Sequence, residues 1–228
     1  MAYRRVPLHR RIGLRWLPVL LLWLLAWAGY FGAWTPHRAA GLVITGVDLA
    51  EYVKFLPPVM SGQIPIQREA FYLPLVSASL TATLVASRRS LPFGLRLLLG
   101  AAAIPLALAM LPPAWTPGLL RLPEFRLQTL AILACLTALP LTVLLRYLPD
   151  RAILLGIALL ALAAALWPAW SFSRVLPAIR DVYRAALAPG WGFWLALIAQ
   201  LGLAFYAIAR AIMPNYVNLG RMRSRFLG

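Results

Sequence analysis

Long apolar runs separated by short polar turns dominate the chain. A bilayer core of about 30 Å is crossed by about 20 mostly apolar helical residues. Six runs approach that length: Trp16–Trp34, Ala70–Ser87, Phe93–Leu111, Leu127–Leu145, Ala152–Phe172 and Trp191–Ile212. The pattern predicts an all-α, polytopic integral membrane bundle of about six transmembrane helices. It also predicts one membrane domain over residues 16–213, between a basic arm at 1–15 and a basic tail at 214–228. The third run is the least regular, with Arg96 near its start and Pro105 inside it. An arginine near a helix end can snorkel to the headgroups, so Arg96 is compatible with a span. Six residues separate the fourth and fifth runs, which predicts a tight helical hairpin. The basic start and Ala26-Trp27-Ala28 also give the first run the look of a signal peptide. Its continuation to Trp34 favours a retained helix.

Between the first two runs, residues 35–69 form an outer loop with a pattern of its own. Asp48 followed by Glu51 fits a capping box, and Leu49, Tyr52, Val53 and Leu56 share one helical face before Pro57-Pro58. This predicts a short amphipathic helix that lies on the outer membrane surface or caps the bundle, with Glu51 and Lys54 paired on its polar side. A second such helix is expected at Pro177–Leu187, with Ile179, Val182, Tyr183 and Ala186 on one face. Its Arg180 and Arg184 flank Asp181 and offer an anion or partner contact, or simply a solvated face, the simpler of the two readings. Trp34, Trp115, Trp167 and Trp170 mark the outer ends of the odd spans, and Pro36, Pro117 and Pro168 after the first three are expected to stop the helices. Trp191 and Trp194 mark the outer start of the sixth.

Composition agrees with this frame. Of 228 residues, 62% are hydrophobic and 12% charged, and the mean hydropathy is +0.79, which excludes an ordinary soluble domain and a disordered chain. The net charge of +16 resolves by side. With the amino terminus inside, fourteen bases against one acid leave +13 on the cytoplasmic side, and eight bases against five acids leave +3 outside. The positive-inside rule then places both termini in the cytoplasm of a multi-pass cell-membrane protein. Anionic lipid headgroups, not nucleic acid, are the partner this charge implies, and other membrane subunits could share the bundle.

Candidate chemistry is sparse. Cys135 is alone, so no internal disulfide or cysteine-based zinc site can form. The six runs carry no Asp, Glu, His or Lys at mid-depth, and the histidines, His9 and His37, lie outside them. No nucleophile, metal or phosphate-loop motif is present, so neither a catalytic set, a metal site nor a cofactor is expected. Mild polarity remains at Ser77, Ser79, Thr81 and Thr83 in the second run, at Thr129, Thr137 and Thr142 around the fourth, and at Gln200 in the sixth. Gly192, Ala196, Gln200 and Ala204 recur every four residues, a stripe that lets helices approach closely. Ser77, Thr81, Thr83, Thr137 and Gln200 therefore make interhelical contacts or line a solute path, with packing the simpler reading. Pro74, Pro105 and Pro140 fall inside three of the runs. At the outer face, Glu69 and Glu124 precede inward-running spans, where acids complement a helix dipole.

Three functions compete. The first is a non-catalytic membrane subunit of a larger transport or energy-transducing complex. The second is a permease or substrate-binding component for an apolar or weakly polar solute or lipid. The third, least supported, is a membrane enzyme using Glu69, Glu124 or Asp181 at the outer face. That site would need the acids within about 12 Å of one another, close enough to reach one substrate.

Overall fold

In the computed structural model, residues 15–37, 39–112 and 115–213 are described. The rest of the basic arm, Arg38 and the basic tail lie outside the described residues. Helices make up nearly all of the regular structure: α1 (Leu17–Phe31), α2 (Gly46–Tyr52), α3 (Pro57–Met60), α4 (Leu73–Ala86), α5 (Phe93–Leu108), α6 (Arg126–Ala138), α7 (Thr142–Leu145), α8 (Asp150–Tyr183) and α9 (Trp191–Ile212). A short antiparallel pair, β1 (Ala33–Thr35) and β2 (Ile44–Thr45), follows α1. Helix α9 packs on both α1 and α8, α4 lies between α5 and α8, and α6 closes against α4 and α5.

The expected small-residue stripe makes the tightest of these contacts. Gly192, Ala196, Gln200 and Ala204 are all buried. A Cβ on Gly29 would stand 2.3 Å from the backbone nitrogen of Ala196, and one on Gly192 would stand 2.5 Å from the carbonyl carbon of Gly32. The backbones of α1 and α9 therefore touch, which only glycine permits at those two positions. The same close approach seats Gly190, whose N–H donates to the Trp34 carbonyl at 2.7 Å. Trp34 is thereby enclosed, with its ring centroid 5.4 Å from that of Phe172 and 5.3 Å from that of Phe193. It is a buried aromatic hub rather than the interfacial anchor expected of it, whereas Trp115, Trp167, Trp170, Trp191 and Trp194 are exposed.

Prolines divide the expected runs differently from the sequence pattern. Pro168 does not stop its helix: α8 runs 34 residues through Pro168 and Pro177 and absorbs the second outer helix as its last turns. A proline loses one hydrogen bond and crowds one carbonyl, and in a long helix packed on two neighbours that loss is tolerated. Because those turns belong to α8, their buried face follows its packing: Val175, Leu176, Ala178 and Ile179 are buried, while Val182 and Ala186 are exposed. At Pro140 the opposite happens. Helix α6 ends at Ala138 and α7 begins at Thr142, so the expected fourth span is two helices. Among the described residues, three helical segments are long and apolar enough to cross a membrane: Arg68–Ala86, Asp150–Tyr183 and Trp191–Ile212. Helices α1 and α5 are apolar but shorter.

The outer loop is a folded layer. Helix α2 is capped one turn earlier than expected, by Thr45, whose N–H and hydroxyl both donate to Asp48 Oδ2, at 3.1 and 2.6 Å. Leu49, Val53 and Leu56 are buried, and α2 rests on α1 and on the 3₁₀ turn Arg68–Tyr72, so this helix caps the bundle. Tyr183 at the end of α8 donates its hydroxyl to the Leu42 carbonyl and closes the layer from the other side.

Gly29→Ala and Gly192→Ala should each destabilise the bundle by about 1–3 kcal/mol, the usual cost of overpacking. Gly100→Ala, whose Cβ would meet nothing within 4 Å, should instead raise stability by about 0.5–1 kcal/mol. Thermal unfolding in detergent distinguishes the three, and equal behaviour would refute the close contact.

Candidate functional site

The 3₁₀ turn Arg68–Tyr72 leads directly into α4, and Arg68 and Arg88 mark the two ends of the combined segment. At about 2.0 Å rise per 3₁₀ residue and 1.5 Å per α-helical residue, these arginines are about 30 Å apart, the thickness of a bilayer core. Arg88 is buried and Arg68 nearly so, and each is the hub of an ionic cluster.

Arg68, 10% exposed, faces three carboxylates: Glu51 at 3.5 Å, Glu69 at 3.6 Å and Glu124 at 3.7 Å. It also donates to the Glu124 carbonyl at 3.2 Å and lies 4.9 Å from the Phe125 ring centroid. Glu51 accepts from Lys54 Nζ at 2.6 Å, as expected, and from the Tyr72 hydroxyl at 2.9 Å. Gln128, buried in the first turn of α6, donates to the Met110 carbonyl and, at 3.4 Å, to the Tyr72 oxygen. Burial alone would raise the Glu51 pKa. The hydrogen bonds from Lys54 and Tyr72, with the charges of Lys54 and Arg68, outweigh it and hold the carboxyl below its ordinary value.

Beside this cluster lies a groove of about 260 Å³ between the start of α4, α6 and Trp167 of α8. Leu73, Val76, Leu127 and Ala131 form its apolar wall, and Gln67, Glu69, Tyr72 and Gln128 give it polar groups. Such a groove suits an apolar body with one hydrogen-bonding or cationic end.

At the far end of α4, Arg88 is 4% exposed. It donates to the carbonyls of Leu145 and Leu148, the latter at 2.9 Å, to Ser87 Oγ at 2.8 Å and to Asp150 Oδ1 at 3.3 Å. Asp150 also pairs with Arg15. A buried guanidinium is tolerable because nearly every donor has an acceptor.

The residues singled out from sequence fall into separate places. Glu69 and Glu124 meet at Arg68. Arg180 donates from Nε to the Leu187 carbonyl at 2.6 Å, and Arg184, with φ of 49°, forms the left-handed cap of α8. Asp181 lies on the exposed final turn of that helix. Ser77, Thr81 and Thr83 are buried on α4, with Thr83 bonded to the Ser79 carbonyl at 3.0 Å. Ser79 donates to the Ala103 carbonyl at 2.9 Å and so ties α4 to α5. Thr137 is exposed on α6 and bonded to the Leu133 carbonyl, away from the others. Gln200 borders a cavity of about 10 Å³ on α9, and its Oε1 has no partner among the described residues. Sequence reasoning missed Arg68, Tyr72, Arg88 and Gln128 as organising residues. Gln128, a carboxamide inside an apolar run like Gln200, carried a usable signal. Arg88 beside Arg89 looked like a topology marker only.

The described residues define an all-α fold with three helical segments long and apolar enough to cross a membrane, one of which, Arg68–Ala86, has an arginine-centred ionic cluster at each end. Comparison with protein-family models, curated proteins and solved structures finds no match to this chain.

Arg68→Gln leaves Glu69 and Glu124 without a cation among the described residues and Glu51 with only Lys54 and Tyr72, and should cost about 2 kcal/mol, between the surface and buried ranges for ion pairs. Because the folded pKa of Glu51 is depressed, its stabilisation is present above about pH 4.3 and is lost as pH falls through the folded value. Unfolding midpoints followed from pH 7 to pH 3 should fall for the native chain, and the fall should be shallower for Glu51→Gln. Parallel curves would contradict the assigned network.

Proposed function

We propose that the chain is a multi-pass cell-membrane protein of six membrane segments, with both termini on the basic, cytoplasmic side. In this reading it acts without catalysis of its own as a membrane subunit of a larger transport or energy-transducing complex. The carrying observation is the use of its charge. Arg68 with its three carboxylates and Arg88 with Asp150 hold the chain's own elements together, and Ser79 and Thr83 bond within the bundle. An acid–base pair needs a group able to exchange its proton with a substrate, and carboxylates held by cations are poorly suited to that. Bases Arg15, Arg88, Arg151 and Arg210 gather at one end, which supports the inside assignment for that end. Helices α1, α5 and the α6–α7 pair supply the shorter segments, and packing against long neighbours or local bilayer thinning accommodates them.

The outward face of α9 supports a subunit role. Trp191, Trp194, Ile198, Leu201 and Phe205 are exposed at alternating spacings of three and four, the seam spacing of helix–helix association. Gentle extraction from native membranes should yield the chain with stoichiometric partners, and Ile198→Ala/Phe205→Ala should release them. A lone, monodisperse chain with unchanged behaviour would sink the reading.

A second reading, a substrate-binding component for an apolar or weakly polar solute or lipid, rests on the groove beside Glu69 and Tyr72. The path through Ser77, Thr81, Thr83 and Gln200 draws less support, since the cavity at Gln200 has room for about one water. Gln200→Leu removes a buried acceptor without a partner among the described residues. It should leave stability unchanged or raise it by up to about 1 kcal/mol. Loss of solute flux in liposomes with stability unchanged would restore the path.

A further inference from the structure

A second cavity, of about 290 Å³, opens at the basic end of the bundle, beside the ionic cluster of Arg88. Three arginines line it: Arg15 before α1, Arg151 in the first turn of α8 and Arg210 in the last turn of α9. Its one acid is Asp150, which already pairs with both Arg15 and Arg88. Arg151 and Arg210 have no carboxylate partner among the described residues, so the positive charge here exceeds the negative. Charge alone would describe any cytoplasmic rim; the buried groups add more. Trp16, 1% exposed, lines the cavity, and neither its indole N–H nor the buried Nε of Arg15 has a partner among the described residues. Buried donors are ordinarily satisfied, so unpaired ones beside a cavity point to a ligand with several acceptor oxygens. The first-turn N–H groups of the 34-residue α8 face the same end and favour an anion.

We infer that this cavity binds a phosphate-bearing anion, and that in the membrane the anion is the headgroup of an acidic phospholipid. Guanidinium forks match phosphate oxygens in geometry as well as charge. Location selects the lipid over free phosphate. The cavity lies where α8 and α9, both long and apolar enough to cross a membrane, begin and end on the basic side. Its remaining walls are apolar, from Trp16, Leu154 and Met213, and suit the glycerol and upper acyl carbons that follow a phosphate. Bound there, the lipid bridges the start of α1, the start of α8 and the end of α9, three elements that no ion pair joins as a group. The inference rests on the membrane reading above and is independent of the subunit role.

The test uses the full chain, extracted in mild detergent and stripped of lipid. Native mass spectrometry follows its binding of phosphatidylglycerol, cardiolipin and phosphatidylcholine. One acidic lipid should be retained at least tenfold better than phosphatidylcholine. Arg151→Gln/Arg210→Gln should lose that preference, while Arg89→Gln/Arg96→Gln, which removes equal charge outside the cavity, should keep it. Millimolar inorganic phosphate should compete only weakly; displacement at the affinity of the lipid would overturn the lipid as the source. Equal retention of acidic and neutral lipids, or equal loss in both double variants, would overturn the site itself. A chain extracted intact from membranes that shows no lipid preference refutes this inference and leaves the membrane reading standing. A chain that never partitions into membranes refutes both.

Discussion

The contact of α1 with α9 sets the geometry of the rest. Gly29 and Gly32 on one side, Gly192 and Ala196 on the other, bring two backbones to a distance that no larger side chain allows at Gly29 or Gly192. Van der Waals packing drives helix association in lipid, since the hydrophobic effect gives helices no preference for one another there. At one end of α1 that approach encloses Trp34 among Phe71, Phe172 and Phe193 and thereby seats the capping layer. At the other end it brings Arg15 and Trp16 beside Arg210, which makes the basic cavity.

Charge is then partitioned along α4. Its two flanking arginines, Arg88 buried and Arg68 nearly so, solve the cost of burial differently. Arg68 is surrounded by carboxylates from three segments of chain, so it gathers the outer layer, the 3₁₀ turn and the approach to α6. Arg88 relies mainly on carbonyls at the end of α7, with one shared acid. The Leu145 carbonyl also accepts the Leu148 N–H at 3.1 Å, so the guanidinium adds a second donor there and bonds the Leu148 carbonyl as well. The two clusters leave different cavities beside them, one largely apolar with an acidic rim and one rich in unpaired cations.

How much of this was legible depended on how local its cause was. The bounds of α9 follow from its apolar run, and its stripe of small residues was visible as a period of four. The Glu51–Lys54 pair was also local and is present. The capping box was displaced by one turn because Thr45 and Asp48 satisfy its pattern before Asp48 and Glu51 can, and Glu51 is drawn to Lys54, Arg68 and Tyr72 instead. Prolines were the least legible. Pro140 separates two helices while Pro105, Pro168 and Pro177 lie within theirs, a difference that the presence of proline does not by itself carry. The Arg68 hub joins residues 17 and 56 positions apart, a separation over which no sequence period operates.

By itself the sequence determined that this chain is all-α, apolar along long runs, and more basic in one set of turns than in the other. Those properties come from side-chain transfer energies and backbone periodicity, which act residue by residue. Tertiary structure alone decided which arginines lose their exposure, which acids share a partner, where the last turns of α8 belong and which tryptophans are core residues. Each of those depends on acceptors or surfaces supplied by distant segments, and they exist only once the helices have packed.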